Sequence, residues 1–458
     1  MKHLYLIRHA KSSWTEDGIQ DRIRPLSKRG REQLGSMSKA ILAAGALDGP
    51  VFCSHAVRAR QTLEGLIPAD TRPAIHIERT LYTFNDKVLI DWLRDRQDED
   101  RITLVGHNPA LEKLAAYLVK EAPGSLPTCG FMHLSLPIKH WRELTENKGR
   151  LAQFLRPKDV SYKAFNRKRK KIRSRGKDRP LCRHIPETLQ HLYQRMRDLE
   201  AGVIQGYDDE FLHQYRIAIR RSRAIAESVS EIGAGHDLRQ ELKALKNNAR
   251  ATSHLRDIHV LLADLDEWLL KEQTCDVMVA SGLRSHFTKL AEIERQKLIK
   301  HLTGKKYRDS MNDWRQLIHA RHFKSILPKL TTADIRKALN KRLRRYNKLT
   351  QELSRKSPDN EVHTMRKLLK RIRYLAELDK PAFRDLRKQL KHRQQRFGKF
   401  QDLYVQINFL LAFRDGLATE SDMREPPAGL NNLIDGLAAE KQDVLDDILA
   451  LCPSCLSL

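Results

Sequence analysis

The sequence predicts two unlike domains in one chain: an α/β domain first, then an all-α domain made of a repeated helical unit. Three observations carry this. Through residue 157, short apolar runs alternate with segments of helical spacing, the pattern of a mostly parallel sheet covered by helices on both faces. From about residue 183 the strand signals stop and long helical patterns take over. Finally, "HQYRIAIRRSR" (213–223) returns as "HTMRKLLKRIR" (363–373), and "LRDIHVLL" (255–262) returns as "FQDLYVQI" (400–407), so the helical part comes in two copies. The expected boundaries are 1–157, a basic joint at 158–182 and a helical domain at 183–458, with its copies at about 183–315 and 320–458.

"HLYLI" (3–7) is a short buried strand that runs into Arg8 and His9. "LSKRGREQLGSMSKAILAAG" (26–45) has helical spacing and closes at Gly45. "DGPVFCS" (48–54) reads as a strand ending at Ser54, and "AVRARQTLEGLI" (56–67) as the helix it feeds. "RITLVGHNP" (101–109) repeats the device with His107, "ALEKLAAYLV" is the next helix, and "GFMHLSL" (130–136) is the expected last strand. Ligands of such sheets collect at the carboxyl ends of the strands. Three strand ends therefore deliver Arg8, His9, Ser54, Arg58 and His107 together. Two guanidiniums can grip phosphate oxygens in bidentate forks. One neutral imidazole can attack phosphorus while the other donates to a charged equatorial oxygen. A single strand-end histidine is most often a satisfied polar residue; two with two arginines suit a phosphoryl group.

Charge divides the chain. Residues 1–157 hold 24 Lys/Arg against 18 Asp/Glu, so +6 of the formal +28 lies there and +22 in the remainder. An excess of that size calls for counterions or a polyanionic partner. No apolar window reaches the roughly 18–20 residues of a membrane span, and no secretory signal is visible. Six cysteines in 458 residues make no disulfide scaffold, so a reducing, cytoplasmic setting is expected. The lone "CPSC" of Cys452 and Cys455 is weak evidence for metal, and no metal or cofactor is expected.

After "FLRPKD" (154–159) comes "NRKRKKIRSRGKDR" (166–179), which reads either as a solvated linker or as positive charge laid beside a polyanion. On a helical projection, His213, Arg216, Arg220 and Arg223 share one side, as do His363, Arg366, Lys370 and Arg373; Arg221 and Arg371 belong to the same motifs. Met365, Leu368, Leu369 and Ile372 take the opposite side. A further helix adds Lys243, Lys246, Arg250 and His254, matched by Lys388, Lys391, Gln395 and Lys399. Like charges one turn apart repel, a penalty that a bound polyanion would remove. Nucleic acid is one such polyanion, but the cationic helices have little aromatic interleaving for base stacking and show no standard nucleic-acid motif.

Residues 1–157 resemble the histidine phosphatase (phosphoglycerate mutase-like) superfamily, in its small bacterial branch of SixA-type phosphohistidine phosphatases. The resemblance rests on "LIRHAKSSW" (6–14), "DRIRPLSKRG" (21–30), "SHAVRARQT" (54–62) and "VGHNP" (105–109). It implies a three-layer α/β fold in which His9 forms a phosphohistidine intermediate, with Arg8, Arg58 and His107 binding the phosphoryl group and Arg24 and Ser54 as secondary pocket residues. Many members add a carboxylate general acid. Here Glu78, Glu16, Asp17 and Asp21 are available and none is marked. A weak acid favours P–N or P–O–P substrates, because an alkoxide leaving group needs the proton more.

The helical half resembles the CHAD (conserved histidine α-helical) domain through both copies of H-x-x-R-x-x-x-[RK]-R-x-R. That resemblance implies two four-helix bundles related by a pseudo-twofold, with basic helices lining a channel that binds inorganic polyphosphate. Asp257 and Asp402 match its repeated acidic position and are expected to orient cations. Ala218 and Ser222 stand where the second copy has Leu368 and Ile372, which predicts looser packing of the first copy. The whole then reads as a phosphatase for phosphohistidine or another activated phosphate, with a phosphohistidine protein as one partner and polyphosphate, including its granules in the cytoplasm, as the other. Two alternatives stand beside it: a polyphosphate-targeting protein whose phosphatase domain is vestigial, and a phosphatase that hydrolyses polyphosphate or pyrophosphate itself. The polymer could be substrate, tether or regulator.

Overall fold

Lys2–Arg8 forms β1, near the middle of a six-stranded sheet ordered β3-β2-β4-β1-β5-β6. The other strands are β2 (Val51–Ser54), β3 (Ile75–Glu78), β4 (Arg101–Gly106), β5 (Phe131–Leu136) and β6 (Arg150–Leu155). This is a computed structural model. It describes residues 1–14, 18–68, 71–96, 99–167, 181–232, 238–270, 277–320, 330–420, 428–452 and 454–458. The chain divides into two compact units, Met1–Lys170 with Ala201–Phe211, and Lys171–Glu200 with Leu212–Leu458.

In the first unit β1 to β4 run parallel, while β5 runs antiparallel between β1 and β6. Alternate strand residues face opposite sides. Leu4, Leu6, Phe52, Leu104, Met132 and Leu134 pack on one face with α3 (Asp86–Arg94) and α4 (Ala110–Leu118). Tyr5, Ile7, Val51, Cys53, Val105 and Phe131 pack on the other with α1 (Lys28–Ala43) and α2 (Val57–Leu66). The expected mostly parallel, two-faced sheet is what forms. The expectation that 130–136 is the last strand is corrected: β6 follows as an edge strand, paired on one side only and too weakly alternating to announce itself. β3 and α3 are also additional to the expected elements, and residues 157–166 form two short helices, α5 (Pro157–Val160) and α6 (Tyr162–Asn166), with Val160 in the core. The rest of the basic joint, 168–180, lies outside the described residues.

Gly30 is fixed by a close approach. Ser27 caps α1 through Gly30 N–H, and both the Ser27 N–H and hydroxyl donate to the Lys11 carbonyl at 2.9 Å. A Cβ on Gly30 would stand 2.2 Å from that same carbonyl oxygen. We expect Gly30→Ala to cost about 1–3 kcal/mol of stability and to push the His9–Lys11 turn out of place. Denaturant melts and turnover of the variant would check both; an unperturbed protein would show that the backbone yields freely.

In the second unit all described elements are helical: α7 (Leu181–Gln205), α8 (Glu210–Ile232), α9 (Arg239–Ala251), α10 (Ser253–Leu270), α11 (Val277–Thr303) and α12 (Lys305–His319). They are followed by α13 (Thr332–Glu352), α14 (Asp359–Ala376), α15 (Arg384–Glu420) and α16 (Ala428–Leu451). Met365, Leu368, Leu369 and Ile372 of α14 are buried, as their helical spacing predicts. Ala218 and Ser222 on α8 are as fully buried as those counterparts. Among the described residues, no helix is long and apolar enough to cross a membrane, and no group of three or more His, Cys, Asp or Glu could hold a metal ion.

Candidate functional site

β1 ends by handing His9 to the carboxyl edge of the sheet, where its N–H is held by the Gly106 carbonyl. The His9 Nδ1 lies 2.8 Å from the Ala10 carbonyl. A carbonyl only accepts, so Nδ1 carries the proton and Nε2 keeps its lone pair. Arg58, in the first turn of α2, donates its Nε–H to that Nε2 at 3.2 Å. Its Nη2 donates to His107 Nδ1 at 3.3 Å, and His107 Nε2–H then donates to the Ser54 hydroxyl at 2.8 Å. The two imidazoles stand 5.0 Å apart, centroid to centroid. Arg8 donates to the Leu126 carbonyl at 2.8 Å, while its buried Nε has no partner among the described residues. Asn108 shares that carbonyl at 2.8 Å, and Glu112 accepts the Leu126 N–H at 2.7 Å.

A loop closes over this edge. Asp21, in a 3-10 turn, meets Arg58 twice: its carboxylate accepts from Nη2 at 2.7 Å and its backbone carbonyl from Nη1. Tyr82 donates its hydroxyl to the same Asp21 carboxylate at 2.8 Å and sets its ring edge-on to His107. Arg24 lies over the Trp14 ring at 4.0 Å and donates to the Ser13 and Ile19 carbonyls, which ties the loop together.

Burial pulls His9 down to about 4, its Ala10 bond opposing and Arg58 and Arg8 adding to the fall. Burial, then His9 and Arg58, takes His107 down to about 3. Both are neutral at physiological pH, as a nucleophile requires. The unfolded chain protonates these rings near 6.5, whereas the folded one does not until about 4 at His9 and about 3 at His107. The unfolded state thus binds more protons in that window, and stability is lost as pH falls from about 6.5 to about 3. Calorimetric melts of the full chain should show it, and His107→Asn should flatten the slope.

In the second unit the two repeated motifs face one shared cluster. Arg216 and Arg220 on α8 act on Arg366 and Lys370 on α14, with Asp257 of α10 and Asp402 of α15 among them. Arg216 donates to Thr252 and Ser253 at 2.8 and 3.1 Å. Burial, then Arg366 and Arg220, draws Lys370 down to about 7. Burial raises Asp257 and Asp402, with Arg216 and Arg366 as the chief opposing charges. Asp402 is solvent-exposed.

Residues 4–82 match the histidine phosphatase superfamily (branch 1), and residues 187–411 match the CHAD domain. The chain joins a histidine phosphatase superfamily domain to a CHAD domain. An uncharacterised protein of Mycobacterium tuberculosis is 30% identical over 162 residues, which is 33% of this chain and 100% of that protein. Among solved structures, the protein histidine phosphatase SixA complexed with tungstate is 18% identical, with a TM-score of 0.29, over 35% of this chain and 99% of its own. The CHAD domain from the plant Ricinus communis is 21% identical, with a TM-score of 0.49, over 62% and 96%.

In the phosphatase domain the structure brings Arg8, His9, Ser54, Arg58 and His107 to one edge, with Arg24 in the covering loop. Of the acid candidates, Glu16 and Asp17 lie outside the described residues, Glu78 ends β3 in register with Ser54, and Asp21 is ion-paired with Arg58. That pairing, with the Tyr82 bond, outweighs burial and holds Asp21 below the usual carboxylate range, so it stands there as a charge rather than a proton donor. Tyr82, Glu112 and the Leu126 peptide carried no signal in the sequence, because only tertiary folding brings them in. Asn108 lay within a quoted motif without a role.

In the CHAD domain, Arg216, Arg220, Arg366 and Lys370 converge. Arg221 and Arg373 both pair with Glu377, at 3.4 and 2.9 Å, and Arg223 with Glu227 at 3.1 Å. His363 meets Gln401, and His213 is half-buried. Lys388 pairs with Asp385 and Lys399 with Glu440, while His254 stands 3.4 Å from Glu294. Lys243, Lys246, Arg250, Arg371, Lys391 and Gln395 are exposed.

Proposed function

We propose that this chain is a SixA-type phosphatase working through a phosphohistidine on His9, joined to a two-bundle CHAD domain that binds inorganic polyphosphate. The observation that carries the first half is the tautomer: Nδ1–H is fixed on the Ala10 carbonyl, which leaves the Nε2 lone pair facing Arg58. Nε2 attacks phosphorus, and the bond to the leaving group breaks with its electron pair going to that group. Arg58, Arg8 and His107 bear the charge on the equatorial oxygens. Water then attacks the phosphohistidine, releasing orthophosphate and returning the lone pair to Nε2. With no carboxyl acid poised beside His9 among the described residues, the reading favours a leaving group that departs without much help, such as an already protonated imidazole or a phosphate.

The second half rests on the convergence of Arg216, Arg220, Arg366 and Lys370, which suits a flexible polyanion with no base edges to read. The polymer would hold the phosphatase near its substrate and raise effective concentration without new contacts at His9. Orthophosphate release from a phosphohistidine protein and from polyphosphate, measured with the full chain and with its CHAD cluster disabled, tests the pair of claims. Release from neither substrate would leave a binding protein with a vestigial phosphatase.

A further inference from the structure

Arg58 has little left to offer an incoming substrate. It is 4% exposed, and four of its N–H groups are engaged: one on His9, one on His107 and two on Asp21. Its bonds to the histidines set the geometry of the site, but those to Asp21 do not. Asp21 belongs to a 3-10 turn (Asp21–Ile23), and its side chain is 47% exposed, so it can rotate into water. Its carboxylate oxygen sits 2.7 Å from Nη2, and its carbonyl reaches Nη1. Two oxygens on two guanidinium nitrogens are the bidentate pattern in which an arginine holds phosphate.

We infer that Asp21 is a displaceable counterion, holding the phosphoryl place on Arg58 until a substrate dianion evicts it. This rests on the phosphatase reading and deepens it. An empty site would leave a buried guanidinium without a balancing charge, which is costly; Asp21 supplies that charge. Tyr82, donating to Asp21 at 2.8 Å while edge-on to His107, is the latch that keeps it there. The consequence is selectivity by charge. A dianionic phosphoryl group competes well for the two nitrogens, and a monoanion or a carboxylate exchanges one single charge for another and gains little. Asp21 is on this account a positioning and specificity residue, not a proton donor.

The test is tungstate affinity, by calorimetry on the full chain, for the wild type, Asp21→Asn, Tyr82→Phe and Arg58→Ala. Removing the competing charge should tighten tungstate binding by roughly three- to tenfold in Asp21→Asn. Tyr82→Phe should move it the same way by less, and Arg58→Ala should lose it. Tungstate bound by the wild type but no better by Asp21→Asn overturns the inference and leaves the phosphatase reading standing. Tungstate bound by neither overturns both. Turnover supplies a second readout: kcat of Asp21→Asn should change alike for leaving groups of low and high pKa. A loss confined to the high-pKa group would make Asp21 a general acid, and the counterion role would fall.

Discussion

Replacing His9 by alanine should abolish turnover, by at least about a thousandfold, on any phosphohistidine or activated phosphate the wild type hydrolyses. His107 is placed instead as a donor, with its Nε2–H directed at Ser54. Acid-quenched wild-type enzyme should retain covalent phosphate less well than enzyme quenched in base, since a phosphoramidate survives base and not acid. The label should map to His9. His107→Ala should chiefly lower kcat, because it acts on charge that develops during transfer, and Arg58→Ala should raise KM as well, because the phosphoryl group also loses its guanidinium partner. Full activity in His9→Ala would end the phosphohistidine mechanism.

The largest effect on binding is expected from Arg220→Glu combined with Lys370→Glu, which places two anions in the shared cluster of the CHAD domain. Polyphosphate affinity should fall by roughly a hundredfold or more, and the slope of log affinity against log salt should drop by about two. Neutral Arg220→Gln with Lys370→Gln should act in the same direction by less, which separates loss of contact from added repulsion. Arg221→Gln and Arg223→Gln should change little, because Glu377 and Glu227 already engage those side chains. Circular dichroism should show the helices intact. Binding untouched by the double reversal, or matched by duplex DNA of equal charge, would remove the proposed ligand.

The parts of this protein that could be read in advance are those in which local pattern and position coincide. "HLYLI" and "RITLVG" are apolar runs followed at once by Arg-His and His, so strand identity and strand end were visible together. β3 was not, because Ile75, His76 and Ile77 are exposed on an edge strand where no burial enforces alternation. α3 did carry a signal: Asn85 caps it, and Leu89, Ile90, Trp92 and Leu93 are its buried residues. Contacts such as Tyr82 on Asp21 or Arg8 on Leu126 join positions 61 and 118 residues apart, and no periodicity encodes them. In the CHAD domain the repeat showed which cations were equivalent, but a single-helix projection could not show that Arg221 and Arg373 would share Glu377.

β1 and β4 lie side by side with Arg8 opposite Gly106, and each imidazole emerges one residue beyond that last matched pair. The spacing between the two rings is therefore inherited from the ladder of backbone hydrogen bonds, the part of a protein least open to gradual drift. The covering loop and the 126 turn are not so constrained. Descendants of such a chain can exchange those outer segments, and with them the molecule that is dephosphorylated, while the chemistry at phosphorus passes down unaltered.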